Sequence, residues 1–402
     1  MNAKILVINA GSSSIKWQIF EKENLKLLAV GLIERIGLQN GKIKMTFKGQ
    51  NFDFDSNFVD HAQALETQFS MWKKENVVKN LDEFVLAGFR IVHGGASFSA
   101  PSILDENAIA KIAEAAKFAP LHNPGALATI KAIKKLLPNA KLAASFDTAF
   151  HASIPKLNYT YPIDFQVGEK YGIRKYGFHG ISHKFITLQV EKIFGSNQVN
   201  FVNMHIGNGA SLCAVQNSAS LDTSMGLTPL AGVAMGTRSG DVDPSIIPYL
   251  ATEANFSIAE IDQLLNKKSG LLGLSGVSSD LRDVIAAADN GNENARFALE
   301  VYVQKIVDYL VNYINKVGKK IQALVFTGGV GENSARIRHA IIEKITLPGL
   351  NLILDESKNS RKPSEFSEIE EISAPNSHLK IFVIKTNEEL LIAKNALKVW
   401  GL

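Results

Sequence analysis

The sequence predicts an α/β protein of two related domains, and three observations carry that expectation. Short apolar runs rich in β-branched residues recur along the chain, each followed by small or polar residues. Helix-period segments lie between many of them, the pattern of strands crossed over by helices. The layout of strand, small polar turn and strand also occurs twice, over residues 5–20 and again over 200–215.

The elements follow in order. KILVINA (4–10) is a strand and IKWQIF a second, with Ile15, Trp17 and Ile19 on one side and the serines of NAGSSS (9–14) in the turn. LKLLAVGLIERIG and KIKMTFKG extend this strand-rich opening. HAQALETQFSMWKK is helical by spacing. VLAGFRIVHGG is a strand ending in glycines. AIAKIAEAAKFA is a helix stopped near Pro120, ALATIKAIKKLL is the next helix, and KLAASFDTAF is a strand running into polar residues. NFVNMHIGNGASLCAV restarts the pattern. Two helices are expected around 290–318, then the strand ALVFTGG and the helix ENSARIRHAIIEKI. DESKNSRKPSEFSEIEE reads as loop, and the chain closes with a strand, a turn and a terminal helix.

Composition narrows the function. The 402 residues are 46% hydrophobic and 20% charged, the balance of a folded globular protein long enough for two domains. A net charge of +4, with lysines dispersed, gives no basic stripe and argues against nucleic acid. The single cysteine, Cys213, makes no internal disulfide, and no apolar run reaches membrane-spanning length. A cytoplasmic protein is expected.

Three glycine turns suggest a phosphate ligand: NAGSSS, HIGNGAS (205–211) and FTGGVGEN (326–333). Glycine allows close backbone approach, and successive N–H groups can form an anion nest. No Walker motif and no dinucleotide-binding fingerprint is present, so a P-loop ATPase and a Rossmann dehydrogenase are both disfavoured. A nucleotide in a cleft between two α/β domains remains.

The charged residues near these turns each carry two readings. Arg90 lies among apolar neighbours and wants an anion, or makes a surface salt bridge. Arg238, in AMGTRSGDVDP, binds an anion or pairs with Asp241 or Asp243. Asp147 ends a strand as a metal-site acid or a helix cap. His179 and His183 are four apart, but the glutamate of a zinc hydrolase is missing, so a histidine donating to a charged oxygen fits better. Asp280 and Arg282 either cap a helix or lie in the turn facing a cleft. Glu388 in TNEE is part of a capping box or a metal-site acid.

Taken together, NAGSSSIKWQIF, GFRIVHGG, LHNPGAL, FDTAFH, KYGFHGISHK, HIGNGASL, DTSMGLTPLAGVAMGTRSGDVDP, KKSGLLGLSGVSSDLRD, FTGGVGENSARIR and TNEEL resemble the acetate kinase family, in family order over nearly the whole chain. The resemblance implies the duplicated actin/Hsp70-like (ribonuclease H-like) fold with an interdomain cleft. It implies a first domain over 1–150 completed by 386–402, and a nucleotide-binding and dimerisation domain over 151–385. It implies reversible phosphoryl transfer between ATP and acetate, giving ADP and acetyl phosphate, with Mg²⁺ or Mn²⁺, in a homodimer.

Residue by residue, the resemblance makes Arg90, Asp147, His179 and Arg238 catalytic. His179 and Arg238 would stabilise the transition state, with His122 and His205 close by. Arg90, Val92, Leu121, Phe178 and Pro229 would bind the acyl substrate. Ser12, Ser14, Lys16, His205, Ile206, Gly207, Asn208, Gly209, Asp280, Leu281, Arg282, Gly329, Val330, Gly331, Glu332 and Asn333 would bind ATP, and Asn9 and Glu388 the metal. Ala96 and Ala231 depart from the acidic or histidine residues more usual there. A propionate or butyrate kinase is the same-class alternative, and a non-catalytic nucleotide-binding interaction protein the alternative from another class. A direct in-line displacement is expected, because a carboxylate nucleophile needs no general base. Both arginines are expected to be paired only by an anionic substrate.

Overall fold

A computed structural model describes residues 3–120 and 122–402. Leu121, one of the expected acyl-pocket residues, lies outside them. The chain divides into two compact units, Met1–Ala152 with Asn387–Leu402, and Ser153–Thr386.

The first unit is built on an eight-stranded sheet: β1 (Lys4–Ala10), β2 (Ser14–Glu21), β3 (Leu27–Glu34), β4 (Lys42–Phe47), β5 (Gln50–Asp55), β6 (Phe84–Ile91), β7 (Ser102–Ile103) and β8 (Lys141–Phe146). Their order is β5-β4-β3-β2-β1-β6-β8-β7. The β1–β5 ribbon is antiparallel, because each connection is a short turn, whereas β1, β6 and β8 run parallel. Parallel neighbours need crossovers. The helix His61–Lys74 lies between β5 and β6, and the helices Glu106–Ala115 and Asn123–Leu136 between β6 and β8. The alternation of β2 buries Ile15, Trp17 and Ile19 on one face. Trp17 meets Trp72 of the helix His61–Lys74 edge to face at 4.7 Å and donates its indole N–H to Gln68 at 3.0 Å.

The second unit repeats the core. Its strands are β9 (Phe201–Ile206), β10 (Ala210–Gln216), β11 (Ala219–Thr223), β12 (Ala323–Thr327), β13 (Ile369–Glu371) and β14 (Lys380–Ile384). They lie in the order β11-β10-β9-β12-β14-β13. An antiparallel ribbon of three strands, β11-β10-β9, leads into parallel β12 and β14, as β3-β2-β1 leads into β6 and β8. The duplication inferred from two strand–turn–strand motifs is thus a duplication of sheet topology. The helices after the last parallel strands are exchanged in chain order. Gly180–Phe194, following β8, belongs to the second unit, and the terminal helix Glu388–Trp400, following β14, belongs to the first.

Three local expectations need correction. Residues 293–317 form a single 25-residue helix, preceded by the separate Leu281–Asp289, because no glycine or proline interrupts Glu293–Val317. TNEE is not a capping box: Asn387 alone caps the terminal helix, accepting from the Leu390 N–H, and Glu388 is the first helical residue. The polar stretch 355–371 is not all loop. It holds a helical turn at Glu356–Asn359 and the edge strand β13.

Candidate active site

In the first unit the site is built on the carboxyl ends of β1, β6 and β8. Parallel pairing sets Arg90 of β6 against Ser145 of β8, and the Asp147 N–H continues the ladder to the Ile91 carbonyl at 2.9 Å. Register therefore brings together two residues 57 apart in sequence. Arg90 grips the Asp147 carboxylate with both edges of its fork, Nε to Oδ1 at 2.9 Å and Nη2 to Oδ2 at 2.7 Å. Asp147 is buried, its side chain 1% exposed, and Arg90 keeps 19% of its side chain open. This corrects the expectation that Arg90 awaits a substrate anion for pairing: the protein supplies one. It also gives Asp147 a partner of its own, both oxygens accepting from the guanidinium. Burial works against the Arg90 charge, but Asp147 and then Glu388 outweigh it and hold the guanidinium firmly protonated.

Glu388 reaches this pair from the start of the terminal helix. Its Oε2 lies 3.8 Å from Arg90 Nε and accepts no hydrogen bond, although it is buried. Burial raises its pKa to about 7, opposed by Arg90 and reinforced by Asp147. The helix comes this close because Gly88 has no side chain: a Cβ there would stand 2.8 Å from Ile392 Cγ2. Asn395 and Trp400 complete the docking, donating to Ser145 Oγ at 3.1 Å and to the Leu142 carbonyl at 3.1 Å.

At the end of β1, Gly11 donates to the Ser14 carbonyl across the hairpin at 2.8 Å. Ser12 and Lys16 are exposed, while Asn9 and Ser14 are half-buried. Residues that sequence reading passed over hold these loops. His61 Nε2 bonds the Gly11 carbonyl at 2.9 Å, and Asn123 brackets His93, accepting from its N–H at 3.2 Å and donating to its carbonyl at 2.9 Å. Val92 is half-buried after β6, and His122 precedes the helix Asn123–Leu136.

In the second unit, the turn between β9 and β10 carries Gly207, Asn208 and Gly209. β9 pairs with β12 so that His205 faces Thr327, which brings the Gly-rich segment after β12 beside this turn. That segment is not a loop but the short helix Gly328–Asn333. Gly209 is a point of close approach: a Cβ there would lie 3.3 Å from Arg238 Nη1 and 3.7 Å from His179 Nε2. Two donors thus converge beside one glycine. Arg238 is oriented by the Pro229 carbonyl, 3.2 Å from Nη1. The acids offered as its alternative partners make bonds of their own. Asp241 accepts from the Gly232 N–H and the Tyr309 hydroxyl, and Asp243 from the Ser245 N–H.

His179 is a left-handed residue, φ 55°, at the start of the helix Gly180–Phe194. Its Nδ1 is 2.9 Å from Ser211 Oγ, and its ring lies 4.3 Å from that of His205. His205 Nδ1 bonds Ser182 Oγ at 2.8 Å. Phe178 is buried next to His179 and Pro229 is half-buried.

A cavity of about 680 Å³ opens beside the glycine turns. Of the expected nucleotide residues, Gly207, Asn208, Asp280, Leu281, Arg282, Gly329, Val330 and Asn333 line it. Gly236, Leu271, Ser279 and Ser334, which lie in the quoted motifs without being singled out, join them, as do Ile285 and Tyr302, which nothing in their local sequence marks. Asp280 is the cap of the helix Leu281–Asp289 and accepts from the Arg282 N–H, while the Arg282 guanidinium folds back onto the same carboxylate. That contact lowers the Asp280 pKa to about 2.

His205, Ile206, Gly209, Gly331 and Glu332 do not line the cavity. Glu332 turns inward, its Oε1 accepting from the N–H groups of Gly328 at 2.9 Å and Thr386 at 3.0 Å. Buried Arg338 secures the same helix from its far end through the Gly331 and Glu332 carbonyls, both at 3.0 Å, and burial pulls its pKa down to about 10.

The sequence profile of the acetokinase family matches residues 4–394. The chain belongs to the acetokinase family. It is 53% identical over 396 residues to the acetate kinase of Mycoplasmopsis pulmonis, covering 98% of this chain and 99% of that protein. Its structure is similar to the crystal structure of Porphyromonas gingivalis acetate kinase, at TM-score 0.91 and 38% identity, covering 99% of this chain and 100% of that one. It is equally similar to a propionate kinase from Francisella tularensis, at TM-score 0.92 and 38% identity with the same coverage. The repeated sheet order is that of the duplicated actin/Hsp70-like fold of acetokinases.

Acetokinases use Mg²⁺ with the nucleotide. Among the described residues, no group of three or more His, Cys, Asp or Glu could hold a metal ion. The unbonded Glu388 Oε2 fits an ion that takes one or two protein oxygens and completes its shell with phosphate and water, which is how Mg²⁺ is bound at phosphoryl-transfer sites.

Proposed function

We propose that this protein is an acetate kinase, transferring the γ-phosphoryl group of ATP reversibly to acetate. The observation that carries the proposal is the convergence of Arg238 Nη1 and His179 Nε2 on Gly209, beside a glycine-lined cavity of nucleoside size. Two fixed donors at a phosphate turn suit the spread of charge over the equatorial oxygens of a transferring phosphoryl group. The acetate carboxylate is ionised at neutral pH and attacks phosphorus in line, without a general base. Arg90, held rigid by Asp147, presents its exposed edge to the carboxylate. The family likeness gives Val92, Leu121, Phe178 and Pro229 to the methyl group. The cavity of the second unit suits the adenosine, and the family likeness gives Ser12, Ser14 and Lys16 of the first unit to the phosphates. Asn9 and Glu388 would hold Mg²⁺, which when bound offsets phosphate charge.

The likeness to a propionate kinase favours a second reading, in which propionate is the preferred acid. One methylene in an apolar pocket is worth only about 1–3 kcal/mol of discrimination. A hydroxamate assay with MgATP across acetate, propionate and butyrate tests both. Acetyl hydroxamate in excess supports acetate, a clear excess with propionate transfers the assignment, and no hydroxamate with any acid defeats the kinase reading.

The protein is further proposed to be a cytoplasmic homodimer formed through the second unit. The helix Ile246–Glu253 buries none of its residues in the chain, and Tyr249 and Ile258 are 65% and 68% exposed. Such a surface suits a partner copy. Sedimentation as a lone 43.8 kDa species would refute the dimer.

A further inference from the structure

A chain of three bonds, two of them buried, ends at His179. Asn203 Nδ2 lies 2.8 Å from His183 Nδ1, His183 Nε2 lies 2.8 Å from Ser211 Oγ, and Ser211 Oγ lies 2.9 Å from His179 Nδ1. Asn203, His183 and Ser211 are all fully buried. β9 and β10 supply Asn203 and Ser211, and the helix Gly180–Phe194 supplies His183 one turn beyond His179.

Ser211 Oγ could accept from both imidazoles, but its own buried proton would then be orphaned, since the two imidazole nitrogens are its only partners among the described residues; it therefore donates one bond and accepts the other. That leaves two self-consistent directions. In the first, the Asn203 amide donates to His183 Nδ1, His183 Nε2–H donates to Ser211, and the Ser211 hydroxyl donates to His179 Nδ1. His179 then carries its proton on Nε2. In the second, the Asn203 carboxamide is turned over and every bond reverses, leaving His179 Nε2 bare.

The far side of the Asn203 carboxamide decides between them. Its Oδ1 is buried and has no hydrogen-bond partner. Turning the group over would place an NH₂ in that position, and an orphaned buried N–H is rarer than an under-satisfied oxygen. The first direction is therefore favoured.

We infer that Asn203, His183 and Ser211 are positioning residues that lock His179 in the Nε2–H tautomer. His179 thereby presents a neutral N–H donor on the side of Gly209 where Arg238 Nη1 also stands. A bare nitrogen there would repel phosphoryl oxygens and offer a nucleophile for a phosphohistidine, whereas a protonated Nε2 attracts the oxygens and blocks that side reaction. The consequence for catalysis rests on the kinase reading; the tautomer itself does not.

Nitrogen-15 spectroscopy of histidine-labelled full-length enzyme tests this, with His179 assigned through His179→Gln. In the wild type, His179 Nε2 should be protonated and Nδ1 bare. Ser211→Ala, which removes only a hydroxyl, should shift both His179 signals toward exchange-averaged values. It should lower kcat about ten- to a hundredfold, the usual effect of removing an orienting partner, with KM for MgATP and acid within about twofold. Asn203→Leu should free His179 in the same way, and if it does not fold, Ser211→Ala decides alone. A wild-type His179 protonated on Nδ1, or a His179 tautomer unmoved by Ser211→Ala, overturns the inference. Because the spectra are read without turnover, an active enzyme with the wrong tautomer sinks the relay alone, and an inactive enzyme with the right one sinks the kinase reading alone.

Discussion

Arg90→Ala removes one half of an ion pair whose other half is buried. Asp147 is 1% exposed and gives both carboxylate oxygens to the guanidinium at 2.7 and 2.9 Å. Without Arg90 the carboxylate stays in the interior with no countercharge, a situation that costs about 3–5 kcal/mol. Glu388 makes it worse, because a second carboxylate stands at the same spot. The variant should therefore lose folding stability as well as activity, unlike an ordinary active-site arginine. Trp17, Trp72 and Trp400 are the chain's three tryptophans and all lie in the first unit, so tryptophan fluorescence reports that unit's unfolding selectively. At an m-value of about 2 kcal/mol/M, a loss of about 3 kcal/mol moves the urea midpoint down by about 1.5 M. Arg90→Ala/Asp147→Ala leaves one carboxylate at the spot, Glu388, instead of two, and should recover part of the shift while remaining inactive. The reasoning is refuted if Arg90→Ala unfolds at the wild-type midpoint, or if the double variant is no more stable than the single.

Glu388 should make the first unit pH-sensitive. Its carboxyl holds a proton to about pH 7 in the folded state and to about 4.5 when unfolded, so the native state binds the extra proton between those values and stability falls as pH rises through that window. Holding the proton to about pH 7 instead of about 4.5 amounts to up to about 3 kcal/mol. Glu388→Gln, measured without metal, should therefore gain urea resistance over wild type at pH 8 but not at pH 4.5, and an equal difference at both would contradict this. Gly209→Ala places a methyl 3.3 Å from Arg238 Nη1, the movable end of a side chain, so the fold should survive while kcat falls about tenfold through the displaced donor; an unchanged kcat would remove Gly209 from the site. Arg238→Ala removes a donor that the Pro229 carbonyl holds beside Gly209, so turnover should drop about 10²–10³-fold, and a steady-state assay showing no such loss would remove Arg238 from the site. Arg238→Lys should restore only part, since a point charge cannot reproduce the fork, and full activity in the lysine variant would refute a forked contact.

The sequence alone determined many of the elements and their kind. Strand and helix periods are set by neighbours two to four residues apart, and glycine turns are marked by residue type, so β1, β2, β6, β9, β10 and β12 could be read directly. So could the duplication, because the same local pattern is written twice. Asp280 as a helix cap was legible as one of two readings for the same reason, the bond being to a residue two positions on. What tertiary structure decided is which distant groups meet. Arg90 and Asp147 are joined by the register of β6 on β8, which leaves no trace in either segment, so an arginine that looked ready for a ligand proved to hold a buried partner. Glu332 shows the reverse case. Its place in a glycine-rich motif suggested a ligand contact, yet its carboxylate closes on the Gly328 N–H of its own helix and on the Thr386 N–H, which the folding of β14 beside β12 brings near. The orientation of His179 depends on Asn203, His183 and Ser211, drawn from two strands and a helix. Each is unremarkable in its own stretch of sequence, because a hydrogen-bond relay is specified by positions in space and not by spacing along the chain.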